Sequence, residues 1–278
     1  MVEITPRTLW DSFALTYVYG RRRETPAMFP LFVAAYLPFS DGEIDWPGFQ
    51  RVIARIYAAG AVPVVNADTG WAFLLTSEQK REVVRRVREW HPDKEIVVGV
   101  TPGANASTFD VRAYSAAVAE VKLDDRVRIM VMVSEGLLAL RDDELVSAYG
   151  AIDGLGEGAI VHELTEEFVP FGRELSPYEL HGVLRLPAFT AVKTSALSGP
   201  AILRRTVMCE QGGLRRGGKS VQVLSGVDWK VREAFEFADG ILMGAAVLFP
   251  QLFARLVDLR READDARTRA ERWRYEDL

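Results

Sequence analysis

Residues 189–210 read FTAVKTSALSGPAILRRTVMCE. An apolar run over 190–193 ends in Lys193, Thr194 follows it, and Ser198-Gly199-Pro200 then opens a helical pattern over 200–210. Serine ahead of a first turn accepts a stranded backbone N–H, and proline fits that turn because it has no N–H to strand. The run does not alternate polar with apolar, as expected of a parallel strand buried on both faces.

The same unit recurs along the chain. Short apolar runs lie at 31–36, 62–66, 96–100, 127–133, 159–162, 190–193, 221–224 and 240–243. Amphipathic stretches follow at 46–59, 77–90, 108–121, 142–152, 177–184, 200–210, 229–237 and 245–261. Thr76 with Gln79 forms a capping-box pattern, and Gly60 closes a helix as a C-terminal glycine. Eight strand–helix units of about 30 residues each match the count of a (β/α)8 TIM barrel.

An open doubly wound sheet is the competing arrangement. It lacks support, because no G-x-G-x-x-G follows the first run and no G-x-x-x-x-G-K-[ST] occurs anywhere. The glycine-rich stretch 212–218, GGLRRGG, precedes a strand and is expected to be a mobile loop rather than a phosphate cradle. Residues 1–25 are expected to form an N-terminal extension, with 9–19 as an added helix, and 26–262 the barrel. The stretch 263–278 reads as a charged helical tail whose Trp273 and Tyr275 offer a docking face to a partner subunit.

Composition narrows the function. Of 278 residues 49% are hydrophobic and 26% charged, an ordinary globular mixture. The net charge of −5 gives no positive field for nucleic acid or an anionic membrane. Cys209 stands alone, so neither an internal disulfide nor a cysteine-based zinc site is expected. No apolar run approaches the roughly 20 residues of a membrane helix. Glu3, Arg7 and Asp11 precede any apolar segment, unlike a signal peptide, so a soluble cytoplasmic protein is expected.

Active sites of such barrels lie at the C-terminal ends of the strands. That singles out Tyr36, Asp68 with Thr69, Thr101, Ser134 with Glu135, His162 with Glu163, Lys193 with Thr194, and the stretch 225–228, which begins with Ser225 and Gly226. Lys193 is the most informative. Either it snorkels to solvent, or it is a Schiff-base lysine inside the mouth. At an ordinary pKa near 10.4 only about one amine in 2,500 is neutral at pH 7, and burial lowers that pKa by up to about 3–5 units. Trp71, Phe73 and Phe171 form either an apolar wall to the site or part of the core.

The stretch FTAVKTSALS at 189–198 resembles the lysine strand of the dihydrodipicolinate synthase/N-acetylneuraminate lyase family. LPFSDGEID at 37–45 resembles its first loop, and 60–65 followed by Asp68-Thr69-Gly70 and Leu75-Thr76-Ser77-Glu78 resembles its second. VVGV at 97–100, VLSGVD at 223–228 and DGILMG at 239–244 match in the same order, so the likeness spans roughly residues 31–260. The resemblance implies a (β/α)8 barrel whose lysine, here Lys193, forms an imine with pyruvate or another 2-oxo acid, in a homo-oligomer without an external cofactor.

The departures matter equally. The family's Thr-Thr pair falls on Asp68 and Thr69, and its following glutamate is Trp71. The turn at Asp68, Thr69 and Gly70 either offers N–H groups to a carboxylate or is capped by Asp68. His162 takes the catalytic tyrosine's place and Glu163 the asparagine's, while Ser134-Glu135-Gly136 occupies the place of the second relay tyrosine. Histidine shuttles protons near pH 7 more readily than tyrosine does. Glu135 is a further acid/base candidate. Arg173 falls near the family's carboxylate-binding arginine, with a surface arginine as the alternative. The chain ends soon after the eighth helix, so its oligomeric contacts are expected to differ from the family's.

The leading expectation is therefore a class I aldolase-type lyase in which Lys193 forms the imine and His162, with Glu135 or Asp68, moves protons. Thr69, Gly70, Arg173, Ser225 and Gly226 are expected to bind the substrate. Two alternatives stay open: a divalent-metal lyase using Asp68, Glu135, His162 and Glu163, and a non-catalytic binder of keto acids or sugar acids.

Overall fold

Residues 29–103 and 106–262 are described in a computed structural model of the chain. Eight parallel strands follow in sequence: β1 (Leu31–Ala34), β2 (Val62–Val65), β3 (Ile96–Val100), β4 (Val127–Val131), β5 (Ala159–Glu163), β6 (Phe189–Thr194), β7 (Gln222–Ser225) and β8 (Gly240–Met243). Each pairs with its sequence neighbours, and β1 pairs with both β2 and β8, which closes the barrel. Among the described residues a main helix follows each strand: α1 (Trp46–Ala58), α2 (Ser77–Trp90), α3 (Val111–Val121), α4 (Asp142–Gly150), α5 (Pro177–Arg185), α6 (Gly199–Gln211), α7 (Val231–Phe237) and α8 (Pro250–Glu262). The fold is thus the (β/α)8 barrel the sequence implies. The expected extension 1–25 and the tail 263–278, with Trp273 and Tyr275, lie outside the described residues.

Both faces of the strand wall are apolar because both are covered. On β1, Leu31 and Val33 pack outward against the helices, while Phe32 and Ala34 point inward. Val64, Val97, Met130, Ile160, Ala191 and Leu224 complete the inner packing with them. This two-residue alternation sets the face of every later side chain on each strand. The floor is polar but satisfied: Arg128 donates to Gly158 O and to Thr190 Oγ1 at 3.1 Å, and its guanidinium lies over the Phe32 ring.

The helix starts follow local chemistry. Thr76 Oγ1 accepts Gln79 N–H at 3.2 Å while Gln79 Oε1 accepts Thr76 N–H at 2.9 Å, the reciprocal box expected at α2. Ser198 accepts Ala201 N–H at the start of α6. Two expectations are corrected. The helix over 245–261 is broken into a 3-10 turn at Ala245–Val247 and α8, because Pro250 opens a helix and disfavours helical geometry in the residue before it. The glycine-rich stretch folds into a hairpin, with Arg215–Arg216 paired to Lys219–Ser220 around Gly217 and Gly218, both at positive φ.

Gly99 marks the tightest approach in the wall. A Cβ there would lie 2.2 Å from Asn66 O and 2.6 Å from Met132 Sδ. Gly99→Ala is therefore expected to destabilise the barrel by about 1–3 kcal/mol through overpacking, a fall of several degrees in Tm by calorimetry. An unchanged Tm would contradict this packing.

Candidate active site

Alternation along β6 carries the inward face from Ala191 to Lys193 and on to Ser195, and along β5 from Ile160 to His162. The strands are neighbours, with His162 opposite Lys193 in register. Lys193 Nζ lies 2.7 Å from Ser195 Oγ and 3.2 Å from His162 Nε2, and all three side chains are buried. Asp68 Oδ2, on the 3-10 turn after β2, lies 3.7 Å from the same Nε2. Gly226 forms the side wall: a Cβ there would sit 2.0 Å from Lys193 Cε, so the lysine stem occupies the space a side chain would take. Gly226 also donates its N–H to Thr194 O at 2.9 Å, which fixes that wall.

Burial is the main cause that holds the Lys193 amine below the ordinary lysine range, opposed by the charges of Asp68, Asp228 and Glu163. Its hydrogen-bond partners are a hydroxyl and an imidazole, not carboxylates. His162 is held well below the usual histidine value, first by burial and then by Lys193. Its Nδ1 is buried and has no hydrogen-bond partner among the described residues. A neutral ring loses least by carrying its hydrogen on Nε2, toward Lys193 and Asp68, rather than stranding an N–H at Nδ1. An amine accepting that N–H must be neutral, because an ammonium has no lone pair. Burial raises the Asp68 carboxyl and Lys193 opposes the rise, although the side chain is 40% exposed at the mouth.

Glu163, the next residue along β5, faces outward. Its two oxygens accept Arg205 Nε and Nη2, each at 2.7 Å, Thr194 Oγ1 at 2.6 Å and Leu175 N–H at 2.8 Å. Burial works to raise its pKa, but Arg205, Thr194 and Leu175 together hold it low. The carboxylate is filled and faces away from the mouth, so the metal set proposed from Asp68, Glu135, His162 and Glu163 does not assemble. Among the described residues no three His, Cys, Asp or Glu side chains gather to hold a metal ion.

The remaining expected site residues separate. Arg173 donates to Leu138 O, Leu140 O, Glu174 O and both Glu179 oxygens, five bonds for its five N–H groups. It clamps α5 to the segment before α4 and has no donor left for a substrate carboxylate. Ser225 ends β7 on the outward face, opposite Thr194, because Leu224 is the inward residue. Gly70 N–H is bonded to Ala67 O within its own turn. Thr69 Oγ1 does approach the mouth: it and Asp228 Oδ2 lie 3.2 and 3.1 Å from where a Gly244 Cβ would be. Glu135 is exposed in the first turn of the short helix Glu135–Ala139. Phe73 and Phe171 pack against the core while Trp71 stays exposed. Sequence reasoning missed Ser195, although its position two residues beyond Lys193 put it on the inward face.

No family model matches the chain. Residues amounting to 27% of the chain are 31% identical, over 77 residues, to 26% of 4-hydroxy-tetrahydrodipicolinate synthase from Bdellovibrio bacteriovorus. A stretch of 133 residues, 45% of the chain, is 26% identical to 1% of FR901469 synthetase from a Dothideomycetidae species. The chain therefore spans about a quarter or less of the length of these curated relatives. Among solved structures, dihydrodipicolinate synthase from Thermotoga maritima superposes with a TM-score of 0.68 at 17% identity, covering 88% of this chain and 80% of that one. These likenesses establish the fold shared with dihydrodipicolinate synthases.

Glu163→Gln is expected to cost about 3–5 kcal/mol, because it leaves the Arg205 charge buried against a neutral amide. Denaturant unfolding checks this; a change within about 0.5 kcal/mol would mean that the pair does not brace the wall.

Proposed function

We propose that this chain, built on the dihydrodipicolinate synthase fold, is a divergent lyase of that family in which Lys193 forms an imine with a 2-oxo acid. The observation that carries the reading is the buried Lys193 amine, held between Ser195 and His162 by partners that do not require it to be charged. A neutral amine has the lone pair that attacks the C2 carbonyl.

In this reading the carbonyl oxygen takes up a proton as the N–C bond forms, and the carbinolamine then loses water to give the iminium. Breaking a C3–H or C3–C4 bond sends its electron pair toward the iminium nitrogen and gives an enamine. His162 is the proposed proton carrier: its Nε2, 3.2 Å from Nζ, takes a proton once the resting Nε2–H ring has shifted its hydrogen to Nδ1, and gives that proton back from the imidazolium. Asp68 beside the same nitrogen stabilises the imidazolium that forms on proton uptake. Because the enamine carries the developing carbanion, the reading calls for no external cofactor. Glu135 remains a proposed surface acid/base at the rim, and Thr69 a proposed substrate contact.

Borohydride reduction in the presence of pyruvate is expected to leave a pyruvate-derived adduct on the Lys193 peptide and none in Lys193→Ala. Equal labelling of both proteins, or none with any 2-oxo acid, would overturn the reading.

A second expectation concerns pH. With the folded pKa of Lys193 below its unfolded value near 10.4, the unfolded chain binds the extra proton between those two values. Lys193 therefore lowers stability most below that window, and the loss fades as pH rises through it and is gone above about 10.4. Lys193→Met should raise Tm at pH 7 by more than at pH 10.5, and imine formation should rise with pH to a plateau before the ordinary lysine range. A variant that gains nothing at pH 7 would contradict a depressed Lys193.

A further inference from the structure

Two aromatic pairs border the mouth, and neither is used by the chemistry above. Phe168, in the loop after β5, stacks on Trp229, in the loop after β7, with centroids 5.8 Å apart and planes 22° apart. β6 lies between those strands, so the stack spans the sector through which Lys193 rises. Both rings are left uncovered, Trp229 at 64% exposure and Phe168 at 37%. Across the barrel, Tyr36 after β1 meets Trp71 after β2 edge to face at 6.1 Å. Trp71 Nε1–H donates to Leu37 O at 3.0 Å, and its backbone takes φ +61°. Left-handed backbone is strained for a bulky residue and gathers at functional turns.

The charges at the mouth exclude one kind of substrate tail. Asp68 and Asp228 are both carboxylates, Arg173 has no free donor, and Lys230 beside Trp229 is paired to Glu233 at 3.0 Å. A second carboxylate on the substrate would meet like charge without a clamp, whereas a planar apolar group would find exposed aromatic faces.

Resting on the imine reading, we propose that the carbon partner is an aryl aldehyde: the enzyme cleaves, or in reverse forms, a 4-aryl-4-hydroxy-2-oxobutanoate whose ring lies against Phe168 and Trp229. In cleavage Lys193 holds C2 as the iminium, the C4 hydroxyl gives up its proton to the enzyme base, and the C3–C4 bond breaks. Its electron pair enters the iminium to make the enamine, and the aryl aldehyde leaves. The enamine takes a proton at C3, and the water lost on imine formation is returned in hydrolysis to pyruvate and free Lys193. No oxidant or reductant is needed.

Lys193→Ala, which cannot form the imine, is titrated calorimetrically with 4-hydroxy-2-oxo-4-phenylbutanoate and with its 4-methyl counterpart, 4-hydroxy-2-oxopentanoate. The phenyl compound is expected to bind about ten-fold more tightly. That preference should collapse when Trp229→Ala is added and return with Trp229→Phe. In the wild type, kcat/KM for cleavage should show the same aryl preference, with the Trp229→Ala loss falling mainly on KM. Equal affinity for the two compounds, or a preference that survives Trp229→Ala, overturns the aryl proposal whatever pyruvate trapping shows. An aryl preference without a pyruvate adduct on Lys193 overturns the cleavage chemistry while leaving the aryl-binding surface in place.

Discussion

Lys193 is buried between a hydroxyl and an imidazole, and that placement constrains everything around it. A lone ammonium in such a position is costly, and the distant carboxylates offset only part of the burial. The neighbouring imidazole sharpens the constraint. With Nδ1 stranded, His162 places its hydrogen on the nitrogen that faces the lysine, and only an uncharged amine accepts it. Burial lowers the basicity of both groups, and the Lys193 charge lowers that of His162 further. An uncharged amine beside an uncharged imidazole is the state that the proposed imine chemistry calls for.

The scaffold confines this pair by dividing adjacent residues between two faces. On β5, His162 turns into the mouth while Glu163 turns out to Arg205 on α6. On β6, Lys193 turns in while Thr194 turns out to the same Glu163. The outward residues thus brace the strands that carry the inward ones. Gly226 completes the arrangement by leaving its side-chain space to the lysine stem. The site depends on a wall that is close-packed on both sides, where a displaced Glu163 would shift His162 with it.

Much of this was legible in the sequence because it rests on short-range periodicity. Uninterrupted apolar runs followed by amphipathic stretches announced the barrel, and the parity of Ala191 and Ile160 points Lys193 and His162 inward. Ser225 and Ser195 obey the same rule: counting from Leu224 and Lys193 turns the first outward and the second inward. The Arg205–Glu163 pair joins residues 42 apart and carries no local signature. The fate of Arg173 likewise depends on carbonyls 33 and 35 residues away. The break before Pro250 and the hairpin at Gly217-Gly218 were written locally, in a proline and a glycine pair, but apolar spacing and glycine content obscured them.

The proposed chemistry turns on the charge of one amine. Carbon-13 NMR of lysine Cε, with Lys193 assigned by comparison with Lys193→Met, follows that amine directly as pH is raised. The Lys193 resonance is expected to titrate below the ordinary value near 10.4. Titration at or above that value would contradict it, leaving Lys193 a charged side chain at pH 7 and the imine chemistry without its nucleophile.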